Sequence, residues 1–413
     1  MGLVVYNVLI RLFNLVIILY SRFNDKARLL VSGRRRAFQE IRECINKADQ
    51  RLWFHCASLG EYEQALPLLE EVKTTFPNYT ILVSFFSPSG YEYRKNSPVH
   101  DCVFYLPADT ASNARELVDL IDPAAVFFIK YEFWYHYLNT CKKNGIPVFS
   151  ISTILRPEQV FFRSYGAFYR KMLRMFDYFF VQNQETLSLL NSIGIQNAEI
   201  SGDTRFDRVQ AILQRKDKFP LIEAFKADSR MMVLGSTWEK DIALWANYIN
   251  QNDQLKYIIA PHDITEQNIE TIRSAIRLVV ERYSRYAPGS EKTQVLIIDN
   301  IGMLSALYYY ADITYVGGAF GEGVHNILEP ATFGKPVIIG KSLSNKKYQE
   351  VVDLLESGGA FAVDHRDEVD RIMGDLLNNE TLYSQACQAS RSYIDSNVGA
   401  TRVIMDHLRK ALQ

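Results

Sequence analysis

Short apolar runs alternate with stretches of helical spacing along the first half of the chain. The runs are rich in aromatic and β-branched residues, and they occupy residues 53–55, 81–84, 103–105, 126–129, 148–150 and 179–181. Amphipathic stretches lie between them, at residues 63–73, 111–121, 134–144 and 184–193. Continuous apolar strands that are separated by helices predict a parallel sheet covered on both faces.

The same alternation starts again after a polar stretch at residues 207–218. Its apolar runs occupy residues 232–234, 257–259, 296–298, 313–316 and 337–339. A helical pattern then fills residues 379–413, and Gly399 predicts a break in it.

We therefore predict an α/β protein with two doubly wound, Rossmann-like domains, at residues 23–208 and 209–413. Two such domains in tandem, with a ligand cleft between them, make the GT-B arrangement. We assign the C-terminal helix to the second domain, although in GT-B proteins such a helix often crosses back to the first.

The N-terminus has a different pattern, because residues 3–20 are almost wholly apolar. Asn7, Arg11 and Asn14 interrupt the run at a spacing that places them on one polar stripe of a helix. Residues 1–22 are predicted to be a membrane helix that either spans the bilayer or lies at its surface, rather than a buried core helix or a cleaved signal peptide. The excess of Lys and Arg that follows predicts that the rest of the chain is cytoplasmic.

Composition sets broad limits on function. The chain has 413 residues, of which 48% are hydrophobic and 23% charged, as is typical of a globular protein of about two domains. Its net charge of −1 gives no basic field for nucleic acid. The five cysteines are scattered without a CxxC pair, so we predict reduced, mostly buried thiols and no metal ligation.

The segment 317–331 carries the most specific chemistry. It follows the apolar run 313–316, it contains Gly318, Gly321 and Gly323, and it leads into a predicted helix that ends near residue 334. A strand, a glycine-rich turn and a helix let main-chain N–H groups approach a phosphate. Asn326 and Glu329 have no role in a turn, and Glu329 could accept hydrogen bonds from sugar hydroxyls. A tight turn without a ligand is the alternative.

Other candidates follow the ends of predicted strands, because ligands of parallel sheets bind there. Ser58, Gly60 and Glu61 form a tight loop after the first strand, and Glu61 is either a general base or only a partner of the helix dipole. Glu132 is a second carboxylate, placed between aromatic neighbours.

Four more candidates belong to the junction and to the second half of the chain. Arg205 closes the first domain, whereas Ser236 and Thr237 follow a strand and suit a phosphate or a carboxylate. His262 also follows a strand, although a single histidine is more often structural.

Taken together, these residues resemble the 3-deoxy-D-manno-octulosonic acid (Kdo) transferases of lipopolysaccharide synthesis over nearly the full chain. Segment 317–331 is specific, since two glycines, His325-Asn326 and Leu328-Glu329-Pro330 occur in the family's order. The other matching segments are 53–61, 105–110, 132–134, 202–207, 235–237 and 299–304.

The resemblance implies an inverting transfer of Kdo from CMP-Kdo to the 6′-hydroxyl of a lipid A precursor (lipid IVA). It also implies that no metal ion or other cofactor takes part and that the reaction occurs at the cytoplasmic face of the inner membrane. By the same resemblance Glu61 is the general base and Glu132 an acceptor-side residue, while Asn326 and Glu329 bind the donor, with Glu329 on the ribose.

The remaining site residues are assigned by the loops that the resemblance covers. Ser58, Gly60 and Arg156 are expected to contact the acceptor. Arg205, Ser236, Thr237 and His262 are expected to contact the donor, together with the three glycines.

The chain also departs from the family's pattern. Asp203 and Arg205 stand where the family has Asn and Lys, and Arg156 is displaced by two positions. Lys130 replaces the first acid of the motif around Glu132, and Val324 replaces a glycine. The alternatives are another GT-B enzyme that uses a UDP-sugar, as a transferase or an epimerase, and a non-catalytic lipid-binding protein.

Overall fold

The computed structural model describes residues 2–45, 49–214, 218–287, 292–321 and 323–412. It divides into two units, one made of Met1–Arg208 and Val398–Gln413, the other of Val209–Asn397. The C-terminal helix therefore belongs to the first unit, which corrects our assignment of residues 209–413 to the second domain.

The first unit contains one sheet of seven parallel strands. The strands are β1 (Gln50–Cys56), β2 (Tyr79–Phe85), β3 (Cys102–Tyr105), β4 (Ala125–Ile129), β5 (Val148–Thr153), β6 (Tyr178–Val181) and β7 (Ala198–Ile200). Their order is β3-β2-β1-β4-β5-β6-β7. The six predicted strands are confirmed. The seventh strand, β7, was not predicted, because it is short, partly exposed and contains Glu199.

Helices cover both faces of this sheet. They are α1 (Gly2–Tyr20), α2 (Asp25–Cys44), α3 (Leu59–Thr75), α4 (Pro88–Arg94), α5 (Ala111–Ile121), α6 (Tyr135–Lys143), α7 (Ala167–Leu173) and α8 (Gln184–Ser192). One hydrophobic cluster lies on each side of the sheet, around Trp53 and Phe128 on one side and Phe54 and Phe127 on the other. Alternate residues of β1 and β4 therefore enter different clusters, as expected for buried parallel strands.

Two helices follow β7 before the second sheet begins, α9 (Thr204–Gln214) and α10 (Pro220–Lys226). The second sheet again has seven parallel strands. They are β8 (Met231–Thr237), β9 (Lys256–Pro261), β10 (Val280–Arg282), β11 (Val295–Ile297), β12 (Ile313–Val316), β13 (Val337–Gly340) and β14 (Ala360–Val363). Their order is β10-β11-β9-β8-β12-β13-β14. The five predicted strands are confirmed. Two strands were not predicted, namely β10, which contains Glu281 and Arg282, and β14, which is a run of four apolar residues.

The helices of the second unit are α11 (Glu239–Gln251), α12 (Glu266–Ala275), α13 (Leu304–Leu307), α14 (Leu328–Thr332), α15 (Gln349–Glu356), α16 (Arg366–Asn378) and α17 (Glu380–Asn397). The last helix of the chain is α18 (Ala400–Ala411), and the predicted break at Gly399 separates it from α17.

In both sheets the strand order reverses direction at one point. The reversal lies between β1 and β4 in the first sheet and between β8 and β12 in the second. Ligands of doubly wound sheets bind beyond the carboxyl ends of the strands at such a point. The fold thus selects two loop pairs, those after β1 and β4 and those after β8 and β12.

Asp207 holds the C-terminal helix in the first unit. Its carboxylate accepts hydrogen bonds from the main-chain N–H groups of Gly399 and Thr401 and from the Thr401 hydroxyl, each at 2.6 Å. Ile404, Met405 and Leu408 on the same helix are buried in the cluster around Phe54. These contacts explain why α18 packs with the first unit.

The helix α1 packs on the first unit through its polar side. Tyr6 donates a hydrogen bond to Asp109 Oδ2 at 2.5 Å, His136 Nε2 donates to Asn7 Oδ1 at 2.6 Å, and Arg34 donates to Asn14 Oδ1 at 3.4 Å. Of the three residues in the predicted polar stripe, Asn7 and Asn14 therefore face the protein, and Arg11 is exposed.

The apolar residues of α1 point away from the protein. Twelve large hydrophobic side chains of the helix are exposed, among them Val8, Leu12, Val16 and Leu19. Gly2–Tyr20 is also long and apolar enough to cross a membrane, with a mean hydropathy of 2.2 and none of its residues buried. The alternative of a buried core helix is wrong for this segment.

Two of the five cysteines differ from the prediction of reduced thiols. Cys44 at the end of α2 and Cys102 at the start of β3 form a disulfide, with their Cα atoms 5.8 Å apart. The packing of α2 against β3 brings together residues that are 58 positions apart, which their spacing could not reveal. Cys56, Cys141 and Cys387 are free, and the first two are buried.

Candidate functional site

The loop after β1 holds Glu61 in a capping box at the start of α3. Ser58 is the N-cap residue, and its main-chain N–H donates to Glu61 Oε2 at 3.0 Å while its hydroxyl accepts from the Glu61 N–H at 3.4 Å. Gly60 lies in the first turn, and a Cβ there would meet only the Ser58 hydroxyl at 3.9 Å. The structural role that we considered for Glu61 is thus present in the fold.

The surroundings of Glu61 also change its acidity. Burial raises the pKa of Glu61 to about 7, the nearby charge of Glu132 adds to the rise, and Lys130 opposes it. The start of a helix favours the ionised form of a carboxylate. Here burial and the second carboxylate outweigh the helix start, so the group exchanges its proton near pH 7.

Glu132 follows β4, on the other side of the strand-order reversal. Its Oε2 atom accepts hydrogen bonds from Trp134 Nε1 at 2.7 Å and from His55 Nε2 at 3.2 Å. The Glu132 side chain is only 16% exposed, in agreement with its aromatic surroundings. Glu61 and Glu132 therefore form a pair of partly desolvated carboxylates at the edge of one sheet.

Behind Glu132 lies a short chain of buried hydrogen bonds. Ser84 Oγ accepts from Trp53 Nε1 at 2.8 Å and lies 2.8 Å from His55 Nδ1. His55 and Ser84 are fully buried. Sequence reasoning missed this series of hydrogen bonds, because β1 and β2 were recognised only as apolar strands. The one available signal was the polar His55 within such a strand.

Charged groups from two further segments, those after β5 and β7, converge near the carboxylate pair. Burial raises the pKa of Tyr131, and the charges that act on it next most strongly are those of Arg156, Glu61, Arg205 and Asp203. This places Arg156, a predicted acceptor contact, and Arg205, a predicted donor contact, close to Tyr131 in the first unit.

Arg205 is oriented by Asp203. Its Nε and Nη2 atoms lie 2.9 and 2.8 Å from Asp203 Oδ2, and Gln64 donates to the other carboxylate oxygen at 3.0 Å. Burial alone would raise the pKa of Asp203, but the pairing with Arg205 outweighs that effect and lowers it. Asp203 and Arg205, which stand where the family has Asn and Lys, therefore form an ion pair with each other.

In the second unit, Asp241 organises the glycine-rich turn after β12. It accepts hydrogen bonds from the main-chain N–H groups of Trp238 at 2.8 Å and Gly318 at 3.1 Å, and from the Tyr315 hydroxyl at 2.6 Å. Because α11 carries Asp241, the loops after β8 and β12 are tied together. Sequence reasoning had not identified Asp241.

Gly317 and Gly318 are required at their positions. A Cβ at Gly317 would lie 2.5 Å from the Ser236 carbonyl oxygen, so the main chain just after β12 lies close to the main chain at the end of β8. Gly318 has a φ of +97°, and Gly321 and Gly323 both donate main-chain hydrogen bonds to its carbonyl, at 3.0 and 3.3 Å. The three predicted glycines thus form one compact turn.

Ser236 and Thr237 are the last two residues of β8, not residues that follow the strand as predicted, and they lie beside this turn. Ser236 has a φ of +52°, which is unusual for a residue with a side chain and marks local strain at the strand end. The Thr237 hydroxyl is buried and has no hydrogen-bond partner among the described residues. The main-chain N–H of His262 donates to the Thr237 carbonyl at 3.0 Å.

Three aromatic rings stack at this edge of the second sheet. The His262 ring stacks with Trp238, at a centroid distance of 4.4 Å, and with His325, at 4.8 Å. Trp238 Nε1 also donates to His325 Nε2 at 3.1 Å. His262 is therefore brought to the predicted donor residues, and Trp238 and His325 join it.

Asn326 and Glu329 lie next to each other at the start of α14. Asn326 Nδ2 donates to Glu329 Oε1 at 3.2 Å, and Asn326 Oδ1 accepts from the Leu328 N–H. The helix is shorter than predicted, since it begins at Leu328 and ends at Thr332. The glycine turn does not lead directly into a helix, because residues 324–327 separate it from α14. The phosphate site expected near this turn stays a prediction.

Of the predicted donor residues, Arg205 belongs to the first unit and all the others to the second. A separate cavity of about 570 Å³ in the second unit is lined by Tyr309, Phe333, Lys335 and Arg391, among others. None of its described lining residues belongs to the predicted sites.

The chain is similar in sequence to proteins of known activity. Residues 32–208 match the family described as 3-Deoxy-D-manno-octulosonic-acid transferase (kdotransferase). The 3-deoxy-D-manno-octulosonic acid transferase of Aquifex aeolicus is 28% identical over 345 residues, covering 82% of this chain and 89% of that protein. The transferase of the same name from Haemophilus influenzae is 26% identical, covering 88% of each chain.

Solved structures share the fold at low identity. The UDP-GlcNAc 2-epimerase of Neisseria meningitidis, bound to UDP-GlcNAc, has a TM-score of 0.61 at 14% identity and covers 87% of this chain and 100% of its own. MurG of Acinetobacter baumannii has a TM-score of 0.56 at 13% identity, with coverage of 88% and 99%.

The two reversed-order parallel sheets and these neighbours define the GT-B fold. Residues 32–208 match the Kdo-transferase family, and the curated relatives that are similar to more than four fifths of the chain are Kdo transferases, which supports a glycosyltransferase.

Proposed function

We propose that the protein transfers Kdo from CMP-Kdo to the 6′-hydroxyl of the lipid A precursor lipid IVA, with inversion at the anomeric carbon. The observation that carries this proposal is the carboxylate pair, Glu61 and Glu132, at the strand-order reversal of the sheet within the Kdo-transferase domain. The chemistry of Kdo transfer requires one group that removes a proton and another that stabilises positive charge.

Glu61 is the proposed general base. Its pKa of about 7 leaves a large fraction ionised at neutral pH while keeping it basic enough to take a proton from a hydroxyl. As the acceptor oxygen bonds to C2 of Kdo, its proton moves to Glu61. The bond between C2 and the phosphate oxygen breaks, and its electron pair leaves with CMP.

Glu132 is proposed to act on the acceptor side. A carboxylate that accepts hydrogen bonds from two N–H donors is held in one orientation and can stabilise the positive charge that develops on the sugar as the bond to CMP lengthens. Ser58, Gly60 and Arg156, at the same edge of the first unit, are the proposed contacts of the acceptor.

The loops after β8 and β12 are proposed to bind CMP-Kdo. Glu329, oriented by Asn326, would accept hydrogen bonds from the ribose hydroxyls. The compact glycine turn and the loop after β8 would place main-chain N–H groups and hydroxyls around the phosphate. His262, Ser236 and Thr237 belong to this group, and Arg205, oriented by Asp203, is a further proposed donor contact.

The membrane is the proposed location of the acceptor. The outward apolar side of α1 would enter the cytoplasmic face of the inner membrane, and the basic residues that follow it would lie at the headgroups. A lipid acceptor then lies in the same plane as the helix.

Mass spectrometry of the acceptor tests the proposal. The full chain is incubated with tetraacyl lipid A precursor and either CMP-Kdo or UDP-sugars, in the presence and absence of EDTA. We expect mass increments of Kdo with CMP-Kdo alone, unaffected by EDTA, and the number of increments gives the number of units added. Turnover only with UDP-sugars would overturn the assignment of the donor.

A further inference from the structure

His55 is a buried ionisable group that the mechanism above does not use. It lies in the middle of the sheet, on β1, and none of its surface is exposed. Each of its ring nitrogens nevertheless has a polar neighbour, Ser84 Oγ at 2.8 Å from Nδ1 and Glu132 Oε2 at 3.2 Å from Nε2. The ring therefore connects the interior of the sheet to a carboxylate of the candidate site.

The hydrogen bonds around Ser84 decide which nitrogen carries the proton. Trp53 Nε1 can only donate, so it occupies one lone pair of Ser84 Oγ. The Ser84 proton then has two possible acceptors, His55 Nδ1 at 2.8 Å and the Phe54 carbonyl at the longer distance of 3.5 Å. Donation to His55 Nδ1 is the better bond.

The remaining ring nitrogen must then be a donor. A neutral imidazole that accepts at Nδ1 carries its proton on Nε2, and Nε2 faces a carboxylate oxygen. The opposite tautomer would place a bare Nε2 against Glu132 Oε2, which is a repulsive contact between two acceptors. The neutral Nε2–H form satisfies every polar atom of Trp53, Ser84 and His55 in this chain.

Both donors reach the same oxygen of Glu132. Trp134 Nε1 and His55 Nε2 donate to Oε2, and no hydrogen bond to Oε1 occurs within the described residues. Two donors on one oxygen fix the rotation of the carboxylate and leave Oε1 for another partner. Trp134 comes from the same loop as Glu132, whereas His55 anchors it to a different strand.

We propose that His55, held as the Nε2–H tautomer by Ser84, is a positioning residue that sets the orientation of Glu132 so that Oε1 is presented to the substrate. This inference rests on the proposed function only in that Glu132 acts on the acceptor side. It gives a role to the contact between His55 and the Glu132 carboxylate, in which the histidine touches no reacting atom.

Two substitutions at the same position separate positioning from packing. A Gln side chain can place its amide N–H near the position of Nε2 and so keep the donor to Glu132, whereas Asn reaches only the position of Nδ1. Asn also leaves a larger void in the core than Gln, so the melting temperature of each variant is measured beside kcat to account for packing. His100→Asn is a matched control, since His100 is also buried and bonds through Nε2 to the Arg94 carbonyl, outside the site.

We expect His55→Asn to lower kcat by about 10- to 100-fold with little change in the KM for CMP-Kdo, because a misplaced carboxylate affects the reaction and not donor binding. His55→Gln should recover most of the activity. His100→Asn should lower the melting temperature without lowering kcat. Equal losses of kcat in both His55 variants, or none in His55→Asn, would overturn the proposal.

The tautomer can be observed independently of the donor. Long-range ¹H–¹⁵N spectra of protein labelled with ¹⁵N-histidine, assigned with His55→Gln, distinguish a protonated Nε2 from a protonated Nδ1. We expect the Nε2–H form, and an Nδ1–H form would refute the inference. Failure of the proposed function is a separate result, since it would appear as absence of turnover with CMP-Kdo in the wild-type protein.

Discussion

The carboxyl group of Glu61 has neighbours that act on its proton in opposite directions. Burial raises its pKa to about 7, Glu132 adds to the rise, and Lys130 and the N–H groups at the helix start oppose it. The base role proposed for Glu61 requires the deprotonated form, so activity should fall as the pH decreases through about 7. The capping box that fixes Glu61 also gives this residue a structural role beside the proposed catalytic one.

Glu61→Gln is the first test at this scale. Glutamine can still accept the hydrogen bond from the Ser58 N–H, so the helix start should persist and the melting temperature should not fall. The loss of the base should lower the transfer rate by about 10²- to 10⁴-fold, while CMP-Kdo binding is retained. Near-normal turnover together with a lower melting temperature would instead show a capping residue.

Glu132→Gln should shift the pH dependence of the activity that remains. The charge of Glu132 raises the pKa of Glu61, so its removal should lower that pKa and move the acid limb of kcat/KM to lower pH. The full pH profiles of wild type and variant give the measurement. A limb that stays in place would mean that burial alone sets the acidity of Glu61.

At the scale of elements, the glycine turn makes a prediction with its own control. Gly318→Ala would force a side chain into a φ of +97° and within 2.6 Å of the Gly323 carbonyl oxygen. The left-handed conformation alone costs about 1–2 kcal/mol. We expect the affinity for CMP to fall at least about tenfold by calorimetry, since tenfold is about 1.4 kcal/mol.

Gly321→Ala is the matched control, because a Cβ there would have only the Gly318 carbonyl oxygen nearby, at 3.8 Å. Its affinity for CMP should stay close to that of the wild type. If the two variants bind CMP equally well, the turn is not part of the donor site.

The connection between Asp207 and α18 gives a prediction about stability. Asp207→Ala removes the acceptor of three hydrogen bonds and should destabilise the first unit by about 3 kcal/mol. Amide exchange in α18 should become faster. Asp406→Asn, which alters only an exposed ion pair with Arg409, should leave exchange nearly unchanged. Similar exchange in both variants would mean that apolar packing alone holds the helix.

The strands were predictable from sequence because each predicted one is a continuous apolar run between turns. Residues 126–129, for example, are all buried within β4. The length of α14 was not predictable, because the turn with positive φ at Gly318 and Gly323 delays the start of the helix to Leu328. The contact between His55 and Glu132 joins residues 77 positions apart, and no local pattern encodes it.

Periodicity likewise gave the polar stripe of α1 but not what the stripe faces. Asn7 and Asn14 form hydrogen bonds with His136 and Arg34 of the first unit. Only the packed structure shows that the apolar side of α1 is the outer one. The positions of Glu61 and Glu132 at strand ends were within reach of sequence reasoning, since β1 and β4 are recognisable. The shared edge depends on the order of the strands.

For the molecule as a whole, the outer side of α1 should decide membrane residence. Replacing Val8, Leu12 and Leu19 with Ser removes exposed apolar side chains that each contribute about 1.5–3 kcal/mol when buried in lipid. The fraction of protein that sediments with membranes should fall sharply while the melting temperature stays the same. Unchanged sedimentation would exclude this face as the membrane contact.

Tyr6→Phe tests the opposite side of the same helix. It removes the hydrogen bond to the buried carboxylate of Asp109 and should destabilise the first unit by about 1–3 kcal/mol, without reducing sedimentation. A variant that loses both properties would show that docking of α1 and its membrane contact are not separable.

The return of the chain to its first unit has a consequence for biosynthesis. A ribosome makes residues 398–412 only after all of Val209–Asn397. Until then, the apolar surface that Ile404, Met405 and Leu408 cover stays open to solvent, and Asp207 lacks the N–H groups of Gly399 and Thr401. The first unit is therefore complete only after the second unit has been synthesised, and a premature stop before Val398 would leave the carboxylate pair on an incomplete domain.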